Sequence, residues 1–347
     1  MSKTAFAFDV GNGYVKAKSD KKEVLAPSSI AKETALGNSS IVDLLADESY
    51  EYNTFVSQLD DGTKYIWGKD VNKAVDPNDL IDTYTHNNRY TTKRFKLLVL
   101  FILAELASDY SEDELQNVVV VTGLPSQEVG TDESETLKSF LKQKHVVTRD
   151  GSQKMINVTD VRIVEQPTGT LLNMFMNDEG EMHKDLLTKT MTVIDFGAGT
   201  TIMDTFKSLK RLPDKSETFY EGMNDIHRKI RNKLERDHNI KGLNTSFIDD
   251  GFRRGDFIAN ISERKKYSFE DIAKEVIIDF TDNALSDIDT TLTNRDSVDV
   301  FILTGGGVNI VGKEFREKFN EENVVLVKSS QTANLEGFFK LAKTLSS

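Results

Sequence analysis

Apolar residues in this chain gather in short strand-like runs near its start and again past its middle, while the stretches between carry apolar residues three and four positions apart. Ala5-Phe6-Ala7-Phe8 leads into Asp9-Val10-Gly11-Asn12-Gly13 and a second β-rich run from Tyr14; Thr192-Val193-Ile194 leads into Asp195-Phe196-Gly197-Ala198-Gly199 and then Thr200-Thr201. A strand, a glycine-rich turn and a return strand predict a tight hairpin in each case. Farther along, Val118-Val119-Val120-Val121 runs into Thr122-Gly123-Leu124-Pro125, and Val300-Phe301-Ile302-Leu303 into Thr304-Gly305-Gly306-Gly307. Runs without alternation predict central strands covered on both faces. The two pairs recur in nearly the same register, one to each half, so the sequence reads as one unit written twice.

Helical periodicity marks residues 93–109, 132–142, 222–239 and 269–283. Strands followed by long helices predict an α/β protein. Residues 37–69 and 241–268 are the least periodic, and each stretch falls inside one half. They look like small subdomains inserted into the two cores.

Composition narrows the partners. At 347 residues the chain has the length of two ordinary domains or one large duplicated fold. A net charge of −12 removes the usual source of direct DNA or RNA binding, a positive surface that releases phosphate counterions. Any nucleic acid is therefore expected to be reached through a basic partner. Basic stretches at 228–233 and 253–254 are interleaved with apolar or acidic positions and read as solvated helix faces. The absence of cysteine excludes disulfides, thiolate metal sites and a cysteine nucleophile. The apolar run 97–106 is too short and interrupted to span a bilayer, and the strand pattern follows Met1-Ser2-Lys3 directly, without an export signal. A cytoplasmic protein with no membrane partner is expected.

The glycines and acids point to phosphate chemistry. Asp-x-Gly-x-Gly at a hairpin tip lets backbone N–H groups approach an anion with no Cβ in the way. Lys16 follows Asp9 by a length that returns it along the second strand, where an ammonium can meet a bridging phosphate as a point charge. Asp9 and Asp195, one per loop, suit Mg²⁺, which keeps most of its water and needs few carboxylates. Either loop alone reads as an ordinary turn; the pair forms a phosphate clamp. Thr304, three glycines and Val308 opening a helix allow a nucleotide's sugar and α-phosphate close to the backbone. Neither a Gly-Lys-Ser/Thr phosphate loop nor a Gly-x-Gly-x-x-Gly fingerprint occurs at a strand-to-helix junction.

With these pieces in place, the sequence resembles the actin, heat-shock 70 and sugar kinase ATPase superfamily over essentially its whole length. Residues 9–16 are similar to its first phosphate loop and 195–201 to its second; Val164-Glu165-Gln166-Pro167-Thr168-Gly169 is similar to its first connecting segment. Residues 303–308 resemble its adenosine motif, and Ala333-Asn334-Leu335-Glu336-Gly337 its second connecting helix. Within the superfamily the Asp-Val-Gly-Asn-Gly start and Val121-Thr122-Gly123-Leu124-Pro125 are most similar to the ParM family of actin-like plasmid-segregation proteins, above all the divergent members from staphylococcal plasmids.

The resemblance implies an actin-like, ribonuclease H-like duplicated α/β fold with a nucleotide cleft between two domains. The first is expected at residues 1–165 plus 330–347, with an inserted subdomain at about 33–68; the second at 166–329, with an insertion at about 241–268. It implies an ATP or GTP hydrolase with Mg²⁺. Glu165 is expected to orient the attacking water, Asp195 to help hold that water and the metal, and Asp9 and Lys16 to manage the metal and the β-phosphate. Gly11, Asn12, Gly13, Tyr14, Gly197, Ala198, Gly199, Thr200 and Thr201 line the phosphates, and Gly305, Gly306, Gly307 and Val308 the nucleoside. The stretch 226–234 is similar to the actin helix beside adenine and ribose, which makes Arg228, Arg231 and Asn232 candidates; a charged outer face is the alternative. The implied partners are the chain itself, in a head-to-tail filament, and a small ParR-like DNA-binding adaptor on a centromere site. A small-molecule kinase and a nucleotide-gated cytoskeletal scaffold are the competing functions. A membrane scaffold requires a terminal anchor, and the apolar stripe Leu335, Phe338, Phe339, Ala342 and Leu345 is expected to dock in the core instead.

Overall fold

The alternation at the start of the chain folds as strand β1 (Thr4–Val10) turning back into β2 (Tyr14–Ser19), with Val10 opposite Val15 and Asp9 opposite Lys16. The computed structural model describes residues 3–37, 50–60, 62–85, 88–183, 188–319 and 322–347, and the chain divides into two units, Met1–His183 with Asn334–Ser347 and Lys184–Ala333.

In the first unit, β3 (Glu23–Pro27), β4 (Ser29–Lys32), β5 (Asn53–Ser57), β6 (Lys64–Trp67), β7 (Ile81–Asp82), β8 (Glu114–Leu124), β9 (Lys144–Arg149) and β10 (Ser152–Glu165) join the first hairpin. They form a ten-stranded sheet in the order β3-β2-β1-β8-β10-β9-β5-β6-β4-β7. Only the β1/β8 and β8/β10 pairs are parallel, so three central strands deliver their carboxyl ends to one edge. Helix α1 (Lys93–Ala107) begins where the Thr92 hydroxyl accepts from the Phe95 N–H and covers one sheet face, packing with Phe6, Phe8, Val118 and Val120. The alternate residues Ala5, Ala7 and Val121 face the terminal helix, whose Leu335, Phe338, Phe339 and Ala342 are buried there; the apolar stripe docks in the core. Helix α2 (Asp132–Leu141) completes the unit's main helices before β10 runs into α3 (Gln166–Phe175).

The sequence places α3 in the second domain, yet it is held in the first unit. Thr170 N–H and Oγ1 both bond Asn334 Oδ1, at 3.1 and 2.7 Å, and Lys340 Nζ donates to the Asn173 and Met176 carbonyls at 3.0 and 2.8 Å. A Cβ on Gly337 would stand 1.8 Å from the Gly169 carbonyl oxygen, so two glycines let the helices touch backbone to backbone. Within the first expected insertion, 33–68, the described part contributes short strands to the same sheet; residues 38–49 and 61 lie outside the described residues.

The second unit repeats the plan. Strands β11 (Thr190–Phe196) and β12 (Thr201–Lys207) form a hairpin with Phe196 opposite Thr201, flanked by the short β13 (Lys210–Arg211) and β14 (Glu217–Phe219). Helices α4 (Met223–Asp237) and α5 (Ser246–Arg254) precede a separate two-stranded hairpin, β15 (Ile258–Ser262) with β16 (Lys265–Ser268). Then come α6 (Glu270–Thr291), β17 (Val300–Thr304), α7 (Val308–Phe319) and β18 (Val324–Leu326); the chain's last helix, α8 (Ala333–Ser346), is the terminal helix of the first unit. The order β12-β11-β17-β18, with β11/β17 and β17/β18 parallel, matches β2-β1-β8-β10 of the first unit. Its core joins Ile194, Phe196, Phe301 and Leu303 to Ile226 and Ile230 of α4, Phe280 of α6 and Phe315 of α7. Among the described residues no helix is long and apolar enough to cross a membrane.

Candidate functional site

Each unit carries a candidate site of its own, called its half-site after the repeat, at the carboxyl ends of its parallel strands. In the first, Gly11 N–H bonds the Tyr14 carbonyl at 3.1 Å; in the second, Gly197 N–H bonds the Thr200 carbonyl at 2.9 Å. The two Asp-x-Gly-x-Gly loops thus have the same hydrogen-bonded form. Gly11, Asn12, Gly13 and Tyr14 are half-buried, as are Gly197, Ala198, Gly199 and Thr200, while the preceding Asp9 and Asp195 are buried at 2% and 8% exposure. Each loop therefore presents accessible backbone in front of a sheltered carboxylate.

In the first half-site Lys16 Nζ sits 3.3 Å from Asp9 Oδ2, directly across the hairpin, and Gln166 Nε2 donates to Asp9 Oδ1 at 2.9 Å. Glu165 ends β10 at the N-cap of α3, half-buried, with its Oε2 accepting from Thr168 Oγ1 at 3.3 Å. Asp9, Lys16 and the 165–166 junction are therefore brought to one strand edge. The turn is braced from behind: Ser28 Oγ donates to the Gly11 carbonyl at 2.7 Å, Ser28 N–H to the Gly13 carbonyl at 2.9 Å, and Thr83 Oγ1 to the Ser28 carbonyl at 2.6 Å.

In the second half-site β17 ends with Thr304 paired to Asp195, and Gly305 follows at φ +91°. Gly307 N–H donates to the Phe196 carbonyl at 2.9 Å, which folds the triple glycine over the end of β11 before Val308 opens α7. Helix α4 is seated on the loop: Met223 N–H bonds the Gly197 carbonyl at 3.1 Å, Asn224 N–H the Ala198 carbonyl at 2.7 Å, and Thr201 Oγ1 donates to the Glu221 carbonyl at 2.9 Å. Farther along α4, Arg228 is exposed and pairs with Asp225 at 2.5 Å, while Arg231 donates to Asn232 Oδ1 at 3.1 and 2.9 Å. These three candidates engage their own helix neighbours on an outward stretch.

In each unit a sheltered carboxylate, Asp9 or Asp195, stands behind an open backbone loop, and an oxygen donor of this kind suits a hard cation. Among the described residues no three His, Cys, Asp or Glu side chains are grouped to hold a metal ion. Gln166, Ser28 and Thr83 are absent from the candidates drawn from sequence. Gln166 alone had a visible signal, its place beside Glu165 in the connecting segment.

Residues 7–169 match the family model described as actin-like proteins, N-terminal domain, and residues 193–317 that described as archaeal actin homologue MreB-like, C-terminal. Among solved structures, the apo ParM protein of pSK41 is 28% identical, with 99% of this chain and 98% of that one covered and a TM-score of 0.78. The archaeal actin homologue Ta0583 in complex with ADP shares 19% identity, covering 99% of both chains at a TM-score of 0.75. A 15-stranded ParM filament from Clostridium botulinum shares 18% identity, again over 99% of both chains, at a TM-score of 0.79. Among curated proteins no sequence matches significantly.

Proposed function

This chain belongs to the actin-like proteins, as a ParM-like homologue of actin, and on that premise we propose that it hydrolyses ATP or GTP while assembling into filaments that segregate plasmid DNA in the cytoplasm. The observation that carries the proposal is the doubled glycine turn, with Asp9 and Asp195 each buried behind a turn of the same hydrogen-bonded form. Each loop is suited to the phosphates of a nucleotide. Backbone N–H groups of the glycine turns meet the phosphates, Lys16 adds positive charge at the β-phosphate, and the 305–308 turn accommodates the nucleoside. Asp9 in the first loop and Asp195 in the second are the carboxylates that would hold Mg²⁺, which when bound would spread phosphate charge. Glu165 accepts a hydrogen bond from the attacking water and aims it at the γ-phosphorus. A new P–O bond forms to that water as the bond to the β-phosphate oxygen breaks, giving the diphosphate and inorganic phosphate.

The ADP complex of one relative supports nucleotide use, and the filament of another supports self-assembly. A head-to-tail contact that does not close propagates without limit. Assembly at micromolar concentration needs about −8 kcal/mol per subunit, and a change of about 1.4 kcal/mol on hydrolysis moves the critical concentration about tenfold. With a net charge of −12 the chain reaches DNA through a small adaptor of the ParR kind rather than directly.

The test is phosphate release by the purified chain and by Asp195→Ala, with binding of labelled centromere DNA measured across a salt series with and without adaptor. Turnover in the parent, none in the variant and adaptor-dependent DNA capture are expected. Turnover in the variant within about threefold of the parent, or tight DNA binding by the chain alone at physiological salt, contradicts the proposal.

A further inference from the structure

Arg89 stands on the 3-10 turn Arg89–Thr91 that leads into α1, and only 9% of it is exposed. Its Nη2 donates to the Gly11 carbonyl at 3.1 Å and its Nη1 to Asn12 Oδ1 at 3.4 Å, two bonds into the first phosphate loop. The rings of Phe95 and Tyr84 lie 5.0 and 5.5 Å from its guanidinium carbon. Among the described residues its Nε has no hydrogen-bond partner and its guanidinium takes part in no ion pair.

A charge buried in this way is costly unless something neutralises it. Burial works against the charged form, and the nearest acids attract it only from a distance. Asp9 is already engaged by Lys16 and Gln166, and Glu128 accepts from the Tyr90 hydroxyl. Asp9, Glu128 and Asp82 act on Arg89 through space, and among the described residues none is ion-paired with it. Its guanidinium can still take an anion, and guanidinium is suited to phosphate.

We propose that Arg89 is a positioning residue of the phosphate site: it fixes the Gly11-Asn12 turn, and it supplies a buried positive charge that the nucleotide's phosphates, rather than the protein, neutralise. The inference rests on the first loop binding nucleotide phosphates. Because Ser28 also bonds the Gly11 carbonyl, at 2.7 Å, the turn keeps a brace when Arg89 is replaced. Removing the charge should therefore reduce phosphate recognition more than it reduces folding.

Isothermal titration with adenosine, AMP and ADP, on the parent, Arg89→Met and Arg89→Lys, tests this alongside the urea midpoint of each ligand-free protein. The parent should favour ADP over adenosine. Arg89→Met should lose about tenfold or more in ADP affinity, keep its adenosine affinity, and have a ligand-free midpoint no lower than the parent's. Arg89→Lys, which keeps the charge but not the two-pronged contact, should fall between them. If Arg89→Met does not fold, Arg89→Lys decides: weakened ADP with unaltered adenosine supports the proposal, and unaltered ADP overturns it. A parent that prefers ADP while both variants prefer it equally overturns this inference alone. A parent that binds none of the three overturns the nucleotide site itself and this inference with it.

Discussion

Gly305 lies against Asp195 so closely that a Cβ at Gly305 would stand 2.2 Å from Asp195 Oδ1, and 2.6 Å from the Phe196 carbonyl oxygen. The glycine's φ of +91° is also one that side chains rarely adopt. The contact joins the 305–307 glycine turn to the carboxylate that precedes the 197–199 turn. Gly305→Ala must move one of them, so it should cost about 1–3 kcal/mol of stability and weaken ADP binding about tenfold or more. Urea unfolding and ADP titration of the variant check this; parental values in both contradict the contact's role.

Glu165 ends β10 beside Gln166, whose amide donates to Asp9 while Glu165 Oε2 accepts from the Thr168 hydroxyl. A water-orienting carboxylate acts mainly in the transition state. Glu165→Gln should lower kcat by about 10²-fold or more with KM nearly unchanged. Steady-state kinetics decide: weakened binding with parental turnover at saturation would assign Glu165 to substrate binding instead.

Stability should fall on mild acidification through two buried imidazoles. Burial holds both His145 and His227 below the ordinary value of 6.5; the Leu141 carbonyl opposes the shift at His145, and at His227 Asp249 opposes it while Arg253 adds to it. With folded values depressed, the unfolded chain binds more protons as pH drops below about 6.5. Their contribution is complete above that value and is lost as pH falls through the folded values. Urea midpoints from pH 7.5 to 5.5 should decline in the parent and decline less in His227→Phe, whose new ring would meet Phe252 where His227 stacks now, at 5.5 Å. Equal slopes in the two proteins would remove His227 from the account.

What could be read from sequence was local. The hairpins at Asp9 and Asp195 follow from two strand runs joined by only a short glycine-rich connection, residues 11–13 and 197–200, and the buried runs at Val118 and Val300 follow from the lack of alternation. Helix α6 runs on to Thr291, past the periodic stretch ending at 283, because Ala284 and Ile288 keep the same face buried. The bonds that complete the first half-site join residues far apart in the chain, Gln166 to Asp9 across 157 positions and Arg89 to Gly11 across 78, and no periodicity or spacing rule reaches that far. The placement of α3 failed for a related reason: its ties to Asn334 and Lys340 are tertiary, and the motif at 164–169 marks a junction without saying which core receives the helix.

The central claim is that nucleotide governs assembly of this chain on itself, and sedimentation of the purified protein with ATP, GTP, ADP and a non-hydrolysable analogue tests it most directly. With Mg²⁺ present, the chain should pellet with a triphosphate and return to the supernatant as that nucleotide is consumed. It should stay pelleted with the analogue and stay soluble with ADP or without nucleotide. Pelleting that is equal in all conditions, or absent in all of them at concentrations well above micromolar, would contradict a nucleotide-dependent filament.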